Sequence, residues 1–173
     1  MENKKIRYWT FFANPKHKFI DPKYWYIDDF LNSDSVNEEI YYRIRPYDRE
    51  FITIGDKGLI RVGVDKRTKA ELKGKEKLKP GIYAIVEVMS NPEYINDRDL
   101  ELCEEERNES VNKENWRVKI KVIKNLINSP IIFKDIESEV LNKDKYLVKG
   151  FQASTMPLLK ESFYEAIKLI NKD

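Results

Sequence analysis

At 173 residues, with 41% hydrophobic and 36% charged residues, the chain suits one globular domain with a real core rather than a disordered segment. A formal net charge of +2 does not by itself imply a polyanionic partner, so any nucleic-acid contact must come from local clustering of charge. One cysteine, Cys103, excludes an internal disulfide and multi-cysteine metal sites, and one histidine, His17, leaves the usual zinc ligand sets incomplete.

No apolar stretch of signal-peptide type follows Met1 to Lys5, and no apolar run is long enough to cross a bilayer, so the expectation is a cytoplasmic protein without membrane contact or cofactor. Residues 6–13, with Tyr8, Trp9, Thr10, Phe11 and Phe12, are predicted to form the first strand, which Asn14 and Pro15 end. Aromatic side chains on both faces place this strand centrally in its sheet. Composition alone favours a pure core role. At its end, however, Phe12, Ala13 and Asn14 run into a turn where a sheet opens to solvent and ligands are commonly held.

Residues 14–22 read as a loop carrying Lys16, His17 and Lys18, and Asp21 before Pro22 reads as the start of a short helix reaching Leu31. From Ile40 to Tyr47, aromatic or aliphatic residues alternate with arginines and Pro46 opposes a long regular element, which suits a pocket rim. Gly55 to Gly58 form a turn, and residues 59–64 the strand after it. Residues 65–80 are rich in lysine. They read either as an exposed, mobile loop or as a basic arm laid across a phosphate backbone.

Residues 81–89 are an interior strand ended by Asn91 and Pro92, and residues 93–115 are an acidic insertion, partly helical or disordered. Trp116 to Ile123 alternate apolar and basic residues with a period of two, predicting a half-exposed strand with a basic outer face. Residues 131–133 suggest a short segment packed on the sheet, 135–141 a helix, and 146–155 a last extended segment ending in small polar residues. The chain closes with an amphipathic helix that brings Phe163, Ile167 and Ile170 onto one face. Strands outnumber helices, so the fold class is α+β: a compact, strongly curved sheet or small β-barrel flanked by two or three helices.

Tyr8-Trp9, Asn14-Pro15, the aromatic and arginine segment from Tyr41 to Tyr47, Gly55-Asp56, the strand from Gly81 to Val88, Trp116 to Ile120, and Gln152-Ala153-Ser154 before Pro157 follow one another in an order that resembles the EVE domain family. The likeness covers nearly the whole chain. It implies one PUA-like domain over residues 1–173, related to the YTH readers of methylated RNA. It also implies a pocket for a modified nucleobase formed by Phe12, Ala13 and Asn14, by Tyr41, Arg45 and Tyr47, and by Gln152 and Ser154. Many family members carry a lysine and a serine where Phe12 and Ala13 stand, and a tryptophan at the position aligned with Tyr41. Such departures point to the subset found in modification-dependent restriction systems, with a nuclease or modification enzyme as partner.

The residue types suit that chemistry. An aromatic wall stacked on an extruded base returns roughly 1–3 kcal/mol of the lost stacking, and amides and hydroxyls read the base edge. Phe12, Tyr41 and Tyr47 offer walls, Asn14, Gln152 and Ser154 offer edges, and Arg45 offers a ring cap or a phosphate contact. Contacts to the phosphate backbone are expected from Arg43, Lys66, Arg67, Lys73, Lys75, Lys77 and Lys119. The reading is thus a binding module for DNA or RNA bearing methylated or hydroxymethylated cytosine or methylated adenine. An enzyme of the related PUA or ASCH type, acting on a nucleoside or RNA, and a protein-interaction module are the alternatives.

Overall fold

The computed structural model describes residues 5–20, 24–95, 115–149 and 153–172. Ten strands are present among them: β1 (Tyr8–Ala13), β2 (Phe19–Ile20), β3 (Tyr24–Trp25), β4 (Ile40–Arg43), β5 (Lys57–Val62), β6 (Gly81–Val88), β7 (Glu93–Tyr94), β8 (Trp116–Asn125), β9 (Ile131–Ile132) and β10 (Thr155–Pro157). Five α-helices accompany them, against the two or three expected: α1 (Ile27–Leu31), α2 (Lys69–Leu72), α3 (Glu139–Lys143), α4 (Lys145–Val148) and α5 (Lys160–Ile170).

One eight-stranded sheet runs in the order β10-β1-β5-β6-β8-β4, with β7 beside β8 and β9 beside β6. The aromatic strand β1 is interior, as expected, parallel to β5 and antiparallel to β10. Its approach to β5 depends on Gly58, because a Cβ there would lie 2.6 Å from the Phe11 ring and 2.7 Å from the Trp9 carbonyl oxygen. Register shifts at Ile60/Arg61 and at Ile85/Val86 bend the neighbouring strands, and the sheet curls into a half-barrel. The two ends of the curl meet without a ladder. There the Arg45 N–H donates to Thr155 Oγ1 at 3.1 Å, and the Tyr42 hydroxyl donates to the Phe12 carbonyl.

Alternation along β1 feeds two cores. Trp9, Phe11 and Ala13 face the inside of the curl with Tyr42, Val86 and Ile120, the Phe11 and Tyr42 rings meeting edge-on at 5.5 Å. Tyr8 lies on the other side, against a second core in which Leu59, Ile82 and Ile85 meet Leu141, Leu147 and Phe163 from the helices. Helix α5 covers that side with the face expected of it: Phe163 and Ala166 are buried, and Ile167 and Ile170 are half-buried.

Three expectations change. Tyr24 and Trp25 extend as β3 against β2, so the helix starts at Ile27; the expected start at Asp21 and Pro22 lies outside the described residues. Residues 145–148 are helical rather than extended, and the last strand is confined to β10. Residues 65–80 carry a short helix rather than a continuous loop. Thr68 and Glu71 form a reciprocal capping box on α2, and the Leu78 N–H donates to Asp65 at 2.9 Å. Of the acidic insertion, Glu93 and Tyr94 pair with β8, Asn115 is buried, and residues 96–114 lie outside the described residues.

Candidate nucleic-acid interface

The C-terminal end of β1 is where three distant segments converge. The Phe12 N–H donates to the Ser154 carbonyl at 3.0 Å, bringing the approach to β10 alongside. The Tyr42 hydroxyl reaches the Phe12 carbonyl from β4, and burial pushes that phenol's pKa above its ordinary value. Asn14 follows, half-buried, its side-chain oxygen accepting the Lys16 N–H at 3.1 Å and its backbone carbonyl accepting the His17 N–H at 3.0 Å. Ser154 thus lies beside the end of β1, just before Ala13 and Asn14. Gln152 lies outside the described residues.

The expected aromatic walls are arranged differently. Phe12 turns its ring away from Tyr42 toward the helical side, where the Arg61 guanidinium sits 5.5 Å from its centre and 5.2 Å from that of Phe133. Arg61 is itself buried, donates to the Leu147 carbonyl, and has its pKa lowered by burial. Gly63 leaves the space that the Phe12 ring occupies, since a Cβ there would stand 2.8 Å from it. Tyr41 lies on the outer face of β4, its ring 5.2 Å from the Lys119 ammonium on β8. The aromatic at the end of β1 is therefore Tyr42, one position along. The alternation of Ile40, Tyr42 and Ile44 on the inner face was the signal that identifies it.

Tyr47 and Arg45 belong to the other end of β1. They line a groove of about 420 Å³ with Tyr8, Trp9, Phe51 and Leu158. Arg45 makes a two-point pair with Asp48, both contacts at 2.8 Å, and Asp48 also accepts the Thr155 hydroxyl. These hydrogen bonds to Asp48 hold the Arg45 pKa above its ordinary value.

The cations separate into two kinds. Arg67 is 1% exposed and cannot serve as a backbone contact. Its guanidinium pairs with Asp65 at 2.7 Å and Asp28 at 3.0 Å, and lies 5.0 Å from the Tyr26 ring centre. Burial opposes the ionisation of Asp28 and Asp65, yet their hydrogen bonds to Arg67, and for Asp28 also to Lys75, outweigh it and keep both carboxyls below the ordinary value. Lys75 bridges Asp28 at 3.0 Å and Asp29 at 2.7 Å and is likewise engaged. Lys66, Lys73 and Lys77 are exposed. In the loop after β1, Lys16 lies 3.9 Å from Glu71 of α2. Arg43 and Lys119 are half-buried on the outer face of β4 and β8.

A curled, incompletely closed sheet with helices packed against it defines an α+β fold. The chain belongs to the EVE domain family, whose model matches residues 7–169. No curated protein matches it. Among solved structures, a hypothetical protein from Leishmania major is similar at 14% identity and a TM-score of 0.64, covering 97% of this chain and 96% of that one. Human THYN1 protein, solved in complex with DNA containing 5-methylcytosine, is similar at 14% identity and a TM-score of 0.60, covering 96% of this chain and 99% of that one. A protein from Pseudomonas putida is similar at 16% identity and a TM-score of 0.59, covering 94% and 98% respectively.

Proposed function

We propose that the chain is a nucleic-acid-binding module that receives a modified base at the C-terminal end of β1, with 5-methylcytosine as the first candidate and hydroxymethylcytosine and methylated adenine as the others. The observation that carries this reading is the meeting of Ser154 and Tyr42 on the backbone of Phe12, two residues before Asn14. It gains support from EVE membership and from the likeness to a protein solved with methylcytosine DNA. Asn14 and Ser154 supply donors and acceptors for a base edge. Lys66, Lys73 and Lys77 hold the phosphate backbone. A nuclease or modification enzyme acting on the bound strand is the partner this reading entails.

The test is a titration of matched oligonucleotides carrying cytosine, 5-methylcytosine, 5-hydroxymethylcytosine, adenine or N6-methyladenine, single- and double-stranded. One modified base should bind about tenfold more strongly than its parent. Asn14→Ala and Ser154→Ala should erode that preference at unchanged thermal stability. Equal affinity for all five bases would sink the reading.

A further inference from the structure

The groove at the start of β1 is not accounted for by the base site. Tyr47 stands 72% exposed on its wall, with the Phe51 ring centre at 5.3 Å and the Arg45 guanidinium 5.9 Å from its own ring centre. An aromatic ring that is exposed yet braced is a platform for stacking. Among the described residues lining the groove, the cations are Lys5, Arg7, Arg45 and Lys160 and the acid is Asp48, which is already taken up by Arg45 and Thr155. An apolar slot with a positive rim complements a ligand that has a flat apolar body and an anionic edge, which describes a nucleotide within a strand.

The groove and the base site also lie on one line. The seam between the ends of the curled sheet passes from Ser154 beside Phe12, through Thr155 beside Arg45, to the Leu158 N–H that donates to the Tyr8 carbonyl at 2.9 Å. The six residues of β1 span about 17 Å. That is about five steps of a stacked strand at 3.4 Å each.

We propose that the groove is a second nucleotide subsite, in which an unmodified base several positions from the modified one stacks on Tyr47 while its phosphates lie beside Lys5 and Lys160. The proposal rests on the nucleic-acid-binding part of the function proposed above. It makes affinity depend on strand length and leaves base discrimination to the end of β1.

The experiment uses single-stranded oligonucleotides with one central 5-methylcytosine or cytosine and flanks of one, three or six nucleotides, titrated against the wild type, Tyr47→Ala and Lys160→Glu. Both substituted side chains are exposed, so melting temperatures should match the wild type. Wild-type affinity should rise about tenfold from the shortest to the longest flank. Both variants should bind the shortest strand like the wild type and lose that rise. Affinity independent of flank length, with the preference for methylcytosine kept, overturns the second subsite and leaves the base reading standing. A flank-dependent rise without any methyl preference overturns the base reading and supports the subsite. Tyr47-dependent binding of an acidic peptide, without any flank effect, assigns the groove to a protein partner and overturns the proposal.

Discussion

The indole N–H of Trp9 donates to Asp56 Oδ2 at 2.9 Å across 47 positions of the chain. The same carboxylate, 1% exposed, accepts the backbone N–H of Arg7 at 3.1 Å and of Thr53 at 3.0 Å. Tyr8-Trp9 and Gly55-Asp56, two of the marks by which the family is recognised, therefore anchor the start of β1 to the turn before β5. Asp56→Ala would orphan three donors at once and should destabilise the fold by about 3 kcal/mol, with a smaller cost of about 1 kcal/mol for Trp9→Phe; urea denaturation of the two variants checks the order.

Arg67 and its exposed neighbours should part company. Arg67→Met leaves Asp28 and Asp65 buried without their partner and should cost about 3–5 kcal/mol of stability. Lys66→Ala, Lys73→Ala and Lys77→Ala should each change stability by less than about 0.5 kcal/mol. Together they should weaken methylated and unmodified oligonucleotides alike and flatten the dependence of affinity on salt. Loss of the methylated ligand alone would show that these lysines act at the base rather than the backbone.

Acid should expose the Asp28, Asp65 and Arg67 cluster. Both carboxyls have folded-state pKa values below their unfolded values, so their contribution to stability is complete above the unfolded pKa of about 4 and is lost as pH falls through the folded pKa. Urea midpoints should hold steady from neutrality to about pH 5 and fall below about pH 4. Asp65→Asn should lower the neutral plateau and make the acid limb shallower. An unchanged limb in that variant would assign the acid sensitivity to other groups.

Tyr42 and Tyr41 give opposite expectations, although they adjoin on one strand. Tyr42→Phe removes the hydroxyl from the Phe12 carbonyl, should cost about 1 kcal/mol, and should reduce the preference for the modified base by loosening the backbone at the end of β1. Tyr41→Ala, on the outer face beside Lys119, should leave that preference intact. Paired titrations with methylated and unmodified strands distinguish the two.

Much of the framework is written in local pattern. The continuous apolar run of β6 belongs to a strand buried on two faces, the alternation from Trp116 to Val122 to a strand with one apolar face, although Arg117 on the other face is also buried, and the spacing of Phe163, Ile167 and Ile170 to a helix with one covered face. That Ser154 belongs near the end of β1 was legible only through the order of motifs along the chain. Nothing local states that the end of β1 meets the segment before β10.

Tertiary structure decided what each candidate side chain faces. Period-two alternation separates Phe12 from Ala13 and Tyr41 from Tyr42, but not which face of a strand meets which core, so the rings of Phe12 and Tyr41 could be assigned only once the sheet had curled. Tyr47 joined the groove because the curl carries it to the start of β1 rather than to its end. Arg67 looked like one more cation in a basic stretch. Its burial depends on Asp28, 39 positions away, and an attraction between charges that distant in sequence exists only after the fold has brought them within 3.0 Å and removed the water between them.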